Sequence, residues 1–178
     1  MWEVAGCHGL CWSKGSLFAT GKGPDGAGLY RITPRGAGAK TNGGAKPNEI
    51  VCLGTFSGEG NEHGVHGVVE GPDGRLYLAV GNHHQIDKPW SADSPYRWHY
   101  EGASFPPMAI RGHAVGIRSP GGTVVSVDRE GKDWRVMAGG FRNHYDLAFD
   151  ASGSSSPSTA TWSGTWGFPG IAPWPRSM

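Results

Sequence analysis

The chain has 178 residues, enough for one ordinary core. Its net charge of +1, with 17% charged residues, sets up no global field toward nucleic acid or an anionic membrane. Thirty-one glycines, roughly two and a half times the usual ~7%, with 13 prolines and no long 3.6-residue apolar period, point to many turns and few helices. No run approaches the ~18 apolar residues of a membrane span, so no span is expected.

In chain order, Met1-Trp2-Glu3-Val4 lacks the basic-then-apolar pattern of a secretory signal. Residues 6–20 read as a hairpin, followed by a Gly-rich turn at 21–26 and a strand at 28–32. Residues 33–48 hold almost nothing apolar and read as an exposed loop. A strand is expected at 49–56, a polar turn at 57–62 and a second hairpin over 65–80. Residues 81–113 form a long insertion dense in His, Trp, Tyr and Pro, and loops of that length in a compact domain are usually functional. A third hairpin pairs 123–127 with 133–137. Gly139-Gly140-Phe141-Arg142-Asn143 then leads to a strand at 145–149.

One phrase recurs through these elements. His66-Gly67-Val68-Val69-Glu70 runs into the turn Gly71-Pro72-Asp73-Gly74 and returns as Leu76-Tyr77. His8-Gly9-Leu10-Cys11-Trp12 returns as Leu17-Phe18 after a turn one residue shorter, and Tyr145-Asp146-Leu147-Ala148-Phe149 opens a third copy. Strand–turn–strand units repeated at intervals of tens of residues are how β-propeller blades read in sequence. The fold class expected is all-β: a partial β-propeller of about two blades plus the start of another, a fragment unable to close as one copy. Trp12, Tyr77, Trp134 and Phe149 are expected in the core. Cys7, Cys11 and Cys52 are odd in number, and C-x3-C without a second pair makes no zinc site, so core thiols are expected and no metal.

The third copy breaks after Gly153, where Ser154-Ser155-Ser156-Pro157 replaces the Leu-aromatic pair. Residues 154–178 differ in composition from residues 1–153, with three tryptophans among Ser, Thr, Pro and Gly. Restoring one guanine before Ser154 and choosing synonymous codons turns Ser154–Pro173 into ELFTFDSDMEWDLGFPWYRP, which supplies the missing Leu-Phe pair at its start. The expected organisation is thus a propeller fragment over 1–153 and a non-native, out-of-frame tail over 154–178.

The run from Glu62-His63-Gly64-Val65-His66 to Tyr77, with Gly81-Asn82-His83, Gly112-His113 and Gly140-Phe141-Arg142-Asn143, resembles a group of bacterial propellers. These are the dehydrogenase-like domains of large, exported, haem-binding multidomain proteins, related to soluble quinoprotein glucose and L-sorbosone dehydrogenases. The resemblance covers residues 5–32 and 49–153. It implies that His63 is the general base taking a sugar hydroxyl proton while hydride passes to pyrroloquinoline quinone, a task that suits an imidazole. It implies that Arg142 and Asn143 contact the quinone, whose carboxylates suit a guanidinium fork.

Three departures stand against it. The later cofactor-clamping residues belong to blades beyond this chain, residues 33–44 replace an Asp-rich segment, and His144 stands where the family usually has Pro. Quinone and calcium are therefore expected only in a complete parent, and none for this fragment. His66, Asn82, His83 and His113 are candidate pocket residues. For the His63/His66 pair, turn-capping imidazoles remain the plain alternative, and the H-x2-H spacing lacks a third ligand for metal.

Two other functions stay open: a non-catalytic recognition or scaffolding propeller, and an inactive truncated product with exposed sheet edges. The partners expected are a sugar or other small polyol or aldehyde, no nucleic acid, and a haem domain elsewhere in the parent. The parent is expected in the periplasm or cell envelope.

Overall fold

The computed structural model describes residues 4–34, 49–58, 62–96 and 121–149, and the backbone alone of 155–158. No helix occurs among the described residues, so none is long and apolar enough to cross a membrane. The first sheet holds β1 (Ala5–Ser13), β2 (Ser16–Gly23), β3 (Gly26–Thr33) and β4 (Glu49–Gly58) as an antiparallel meander. β7 (His84–Ile86) adds to its far edge. The second sheet is β5 (Val65–Glu70), β6 (Leu76–Val80), β8 (Gly122–Val127) and β9 (Trp134–Phe141). β10 (Asp146–Phe149) pairs with β11 (Ser155–Ser158) as a two-stranded third unit. Two four-stranded meanders and the start of another make a partial propeller, as the recurring phrase requires.

Period-two alternation decides how the units stack. On the first sheet Phe18, Leu29 and Leu53 point toward the second. There they meet Val68, Leu76, Leu78, Val125, Val127 and Trp134 in one core cluster. The opposite face of the second sheet carries Tyr77, Ala79, Val124 and Met137, which pack on Leu147 with Val69 and Phe149 alongside. Tyr77 meets Phe149 edge to face at 4.9 Å. The middle sheet therefore buries both faces, as an interior blade must. Burying each large apolar side chain is worth roughly 1.5–3 kcal/mol, so these two clusters dominate the packing.

Polar contacts pin the same junctions. Arg129 lies over the Phe18 ring, 4.8 Å from its centroid, and donates to the Ser13 hydroxyl and, at 2.9 Å, to its carbonyl. Ser13 Oγ donates to Glu70 at 2.5 Å. The turn at 71–74 closes as its sequence demands: Gly74 N donates to Gly71 O at 2.9 Å, and Gly74 adopts φ 76°.

Four expectations need correction. Trp12 is 63% exposed, because its strand face has no neighbouring blade among the described residues. Cys7 is exposed and donates to the Val4 carbonyl at 3.1 Å, while Cys11 and Cys52 are half-buried; none of the three is a core thiol. The insertion begins with a strand, β7, because His84, Gln85 and Ile86 pair with Gly58, Ser57 and Phe56. The first sheet's turn is also tighter than the sequence suggests, since β2 runs to Gly23 and β3 starts at Gly26. Thr33, expected in the loop at 33–48, closes β3 instead, and residues 35–48, most of the tail and His113 lie outside the described residues.

Candidate functional site

The first residue of each phrase sets the site. His8 on β1, His66 on β5 and Tyr145 just before β10 are equivalent positions on three strands that run side by side. His8 stacks on His66 with ring centroids 5.4 Å apart and planes 6° apart, and His66 stacks on Tyr145 at 4.0 Å. The residue after each explains the close approach. A Cβ on Gly9 would lie 2.3 Å from the His66 carbonyl oxygen, and one on Gly67 2.8 Å from the Tyr145 carbonyl oxygen. Gly67 N donates to that Tyr145 oxygen at 2.9 Å. Thr20 Oγ1 accepts from Gly9 N at 2.9 Å and donates to the His66 carbonyl at 2.8 Å, so both β1 and β5 are satisfied across the junction.

A second layer comes from the segments flanking β5 and β6. His63 is 3% exposed, and its Nδ1 lies 2.6 Å from Asn82 Oδ1. An amide oxygen only accepts, so Nδ1 donates to it, while Nε2 lies 3.8 Å from Glu62 Oε1. Asn82 is held in turn by its own N–H, which donates to the Arg142 carbonyl at 2.9 Å. His83 stacks on His63 at 4.4 Å. His66 is 1% exposed and donates from Nε2 to Asn143 Oδ1 at 2.7 Å, while Asn143 Nδ2 donates to the Glu62 carbonyl at 3.0 Å. His66 Nδ1 and His84 Nδ1 are buried acceptors without a hydrogen-bond partner among the described residues.

Burial sets the electrostatics. It lowers the His66 pKa below the usual imidazole value, against the opposing bond to Asn143 and with help from His8 and His63. Burial likewise lowers that of His84, against a bond to the His63 backbone, with His66, His83 and His8 adding to the shift. His144 is pushed down to about 4, by burial first and by His66 second. These three rings are therefore neutral at pH 7.

A cavity of about 730 Å³ opens beside the stack, lined among others by His8, Lys22, Glu62, His66, His84 and Tyr145. Its wall is built largely of imidazole and phenol rings, and Lys22 and Glu62 add one cation and one anion to the lining. No three His, Cys, Asp or Glu side chains among the described residues are arranged to hold a metal ion.

The fold brings five sequence-selected residues into one network: His63, His66, Asn82, His83 and Asn143. Arg142 joins it through its backbone carbonyl. Its exposed guanidinium makes no ion pair among the described residues. His84, in the same Asn82-His83-His84 run, belongs to the cluster too, as do His8, His144 and Tyr145, which the sequence alone did not single out as site residues. For His8 and Tyr145 the signal was present, since both align with His66 in the repeated phrase.

Fold and site together define a partial β-propeller with a histidine-lined cavity where its blades meet. No protein-family model, curated protein or solved structure matches the chain.

Proposed function

We propose that this cluster is the proton-handling part of a quinone-dependent dehydrogenase site acting on a sugar or related polyol, with His63 as general base. The observation that carries the reading is the 2.6 Å bond between His63 Nδ1 and Asn82 Oδ1. It holds the imidazole in the tautomer whose Nε2 accepts a proton, as a general base near neutral pH requires. Asn82 is braced by the Arg142 backbone, so the base and the basic segment expected to meet the cofactor form one unit.

The described residues suit the two cofactors expected in a complete parent unequally. The exposed Arg142 guanidinium suits a carboxylate of the quinone, and Lys22 at the cavity edge offers a second cation. The chemistry a bound quinone supplies is a two-electron sink for hydride from the substrate carbon. Asn143 Oδ1 accepts from His66 and its Nδ2 donates to the Glu62 carbonyl, so it positions His66. Calcium needs a shell of oxygen ligands, and among the described residues the carboxylates form no such cluster. What the chain's own groups do is bind and orient. His66 and His84 shape the cavity wall, Tyr145 offers a stacking face, and His63 takes the proton that ionises.

The test is dye-coupled oxidation of an aldose panel by the full chain supplied with pyrroloquinoline quinone. Turnover that His63→Ala reduces by about 10²-fold or more supports the reading; turnover unaffected by that change, or none with any substrate, rejects it. One observation favours a second reading, a non-catalytic recognition module. His63, Asn82 and Asn143 are all engaged by one another or by backbone, which also describes a purely structural junction. Quinone-independent retention of an oligosaccharide, insensitive to His63→Ala, would select that module.

A further inference from the structure

The internal repeat identifies what one bare face of the chain is built to meet. Leu10, Val68 and Leu147 occupy the same place in the three phrases. Val68 is buried against the first sheet, and Leu147 against the second. Leu10 has no such blade beside it among the described residues and is 61% exposed, and Trp12, two residues on along the same strand face, is exposed to a similar degree. That face continues across paired strands through Leu17, Ile32 and Ile50, all half-buried.

The opposite end of the chain carries the complementary half. Cys11 and Val69 both pack toward the following blade, whereas their equivalent, Ala148, is exposed. One end thus presents the face that receives a preceding blade, and the other end presents the face that receives a following one.

We propose that a second copy of this chain docks head to tail, with Leu10 and Trp12 of each copy seated on the β10 face of the other around Ala148. The contact continues the two blade-to-blade interfaces already formed inside each chain. It is heterologous, so it must either close or polymerise. Each copy contributes three innermost strands, β1, β5 and β10. Two copies contribute six, inside the range of about four to eight blades at which propellers close. Closure also covers the edge-strand apolar residues that would otherwise promote aggregation.

Sedimentation or light scattering on the full chain tests this. The expected result is a discrete species of twice 18.8 kDa. Leu10→Arg alone and Ala148→Arg alone should each run as monomers with the wild-type circular dichroism spectrum. Mixing these two variants should restore a dimer, because one of the two contacts then joins an unmodified Leu10 face to an unmodified Ala148 face. Where Leu10→Arg fails to fold, Trp12→Arg at its exposed site reads the same contact. A wild-type monomer, an open-ended aggregate, a dimer that survives Leu10→Arg or Trp12→Arg, or a mixture that stays monomeric overturns the proposal.

Discussion

Gly9 lies so close to His66 that a Cβ on it would come within 2.3 Å of the His66 carbonyl oxygen, an atom that cannot move without shifting β5. This contact lets the His8 and His66 rings stack and brings the first two blades together. Gly9→Ala should therefore cost about 2–3 kcal/mol, at the upper end of ordinary overpacking, since the obstacle is backbone. It should also separate the stacked rings. Urea unfolding checks the first point; a loss below about 0.5 kcal/mol, the size of an ordinary surface change, would show that the strands part without effort.

The fold was legible because its signals are local. Pro72-Asp73-Gly74 sets a turn by dihedral preference, and the alternation of Leu17, Phe18 and Ala19 sets a strand with two distinct faces. The repeat then says that the units stack. What failed had a common cause: burial depends on which neighbour is present. Trp12 reads as core by residue type, yet no blade lies over it among the described residues. The pairing of β7 with β4 is set by tertiary approach, and nothing in His84-Gln85-Ile86 announces it.

The site was half legible for a related reason. His63 and Asn82 stand on segments flanking one hairpin, and the resemblance of those segments singled both out. The buried state of His144 arises only when the segment after β9 folds against Phe141, whose ring centroid lies 4.6 Å away.

His144 gives a pH dependence with a definite sign. It is fully buried, and desolvation, with His66 second, holds its pKa down to about 4 against an ordinary 6.5, outweighing a bond to the Thr123 backbone. Between those values the unfolded chain binds a proton that the folded chain refuses. Stability therefore falls as pH drops from 6.5 toward 4, by on the order of 3 kcal/mol from this ring. His66 and His84, shifted the same way, add to the slope. His144→Leu should flatten the curve in that window. Urea midpoints at several pH values check it, and a variant curve parallel to wild type would remove His144 as the cause.

Asp133 governs a lower window. Burial opposes its charge, but hydrogen bonds from Arg135, Ser91 and Arg75 outweigh it and bring the carboxyl pKa to about 2. The Arg75 contact is 2.8 Å and the Arg135 contact 2.7 Å. Here the folded state holds its proton less tightly than the unfolded state. The stabilisation is complete above about pH 4 and disappears as pH falls toward 2. Asp133→Asn should lower stability at pH 7 and make it insensitive to pH below 4 at this site. Added salt should leave most of the effect, because Arg75 is largely buried. Unfolding curves from pH 2 to 5, with and without salt, test both points.

Asn82 separates a positioning role from a packing one. Its oxygen fixes the His63 proton on Nδ1, and its own N–H is held by the Arg142 carbonyl. Asn82→Asp preserves an acceptor at that place and adds a charge that stabilises the protonated ring. Asn82→Leu removes the acceptor and leaves a buried N–H unmet, at about 1–3 kcal/mol of stability. If His63 works as a base, Asn82→Asp should keep turnover, with the acid limb of its pH profile moved upward because the ring stays protonated to higher pH. Asn82→Leu should lose about 10²-fold or more. A purely structural Asn82 predicts something else: both variants track stability alone, and the shape of the pH profile does not change. Steady-state rates from pH 5 to 9, beside unfolding curves for the same proteins, decide between the two.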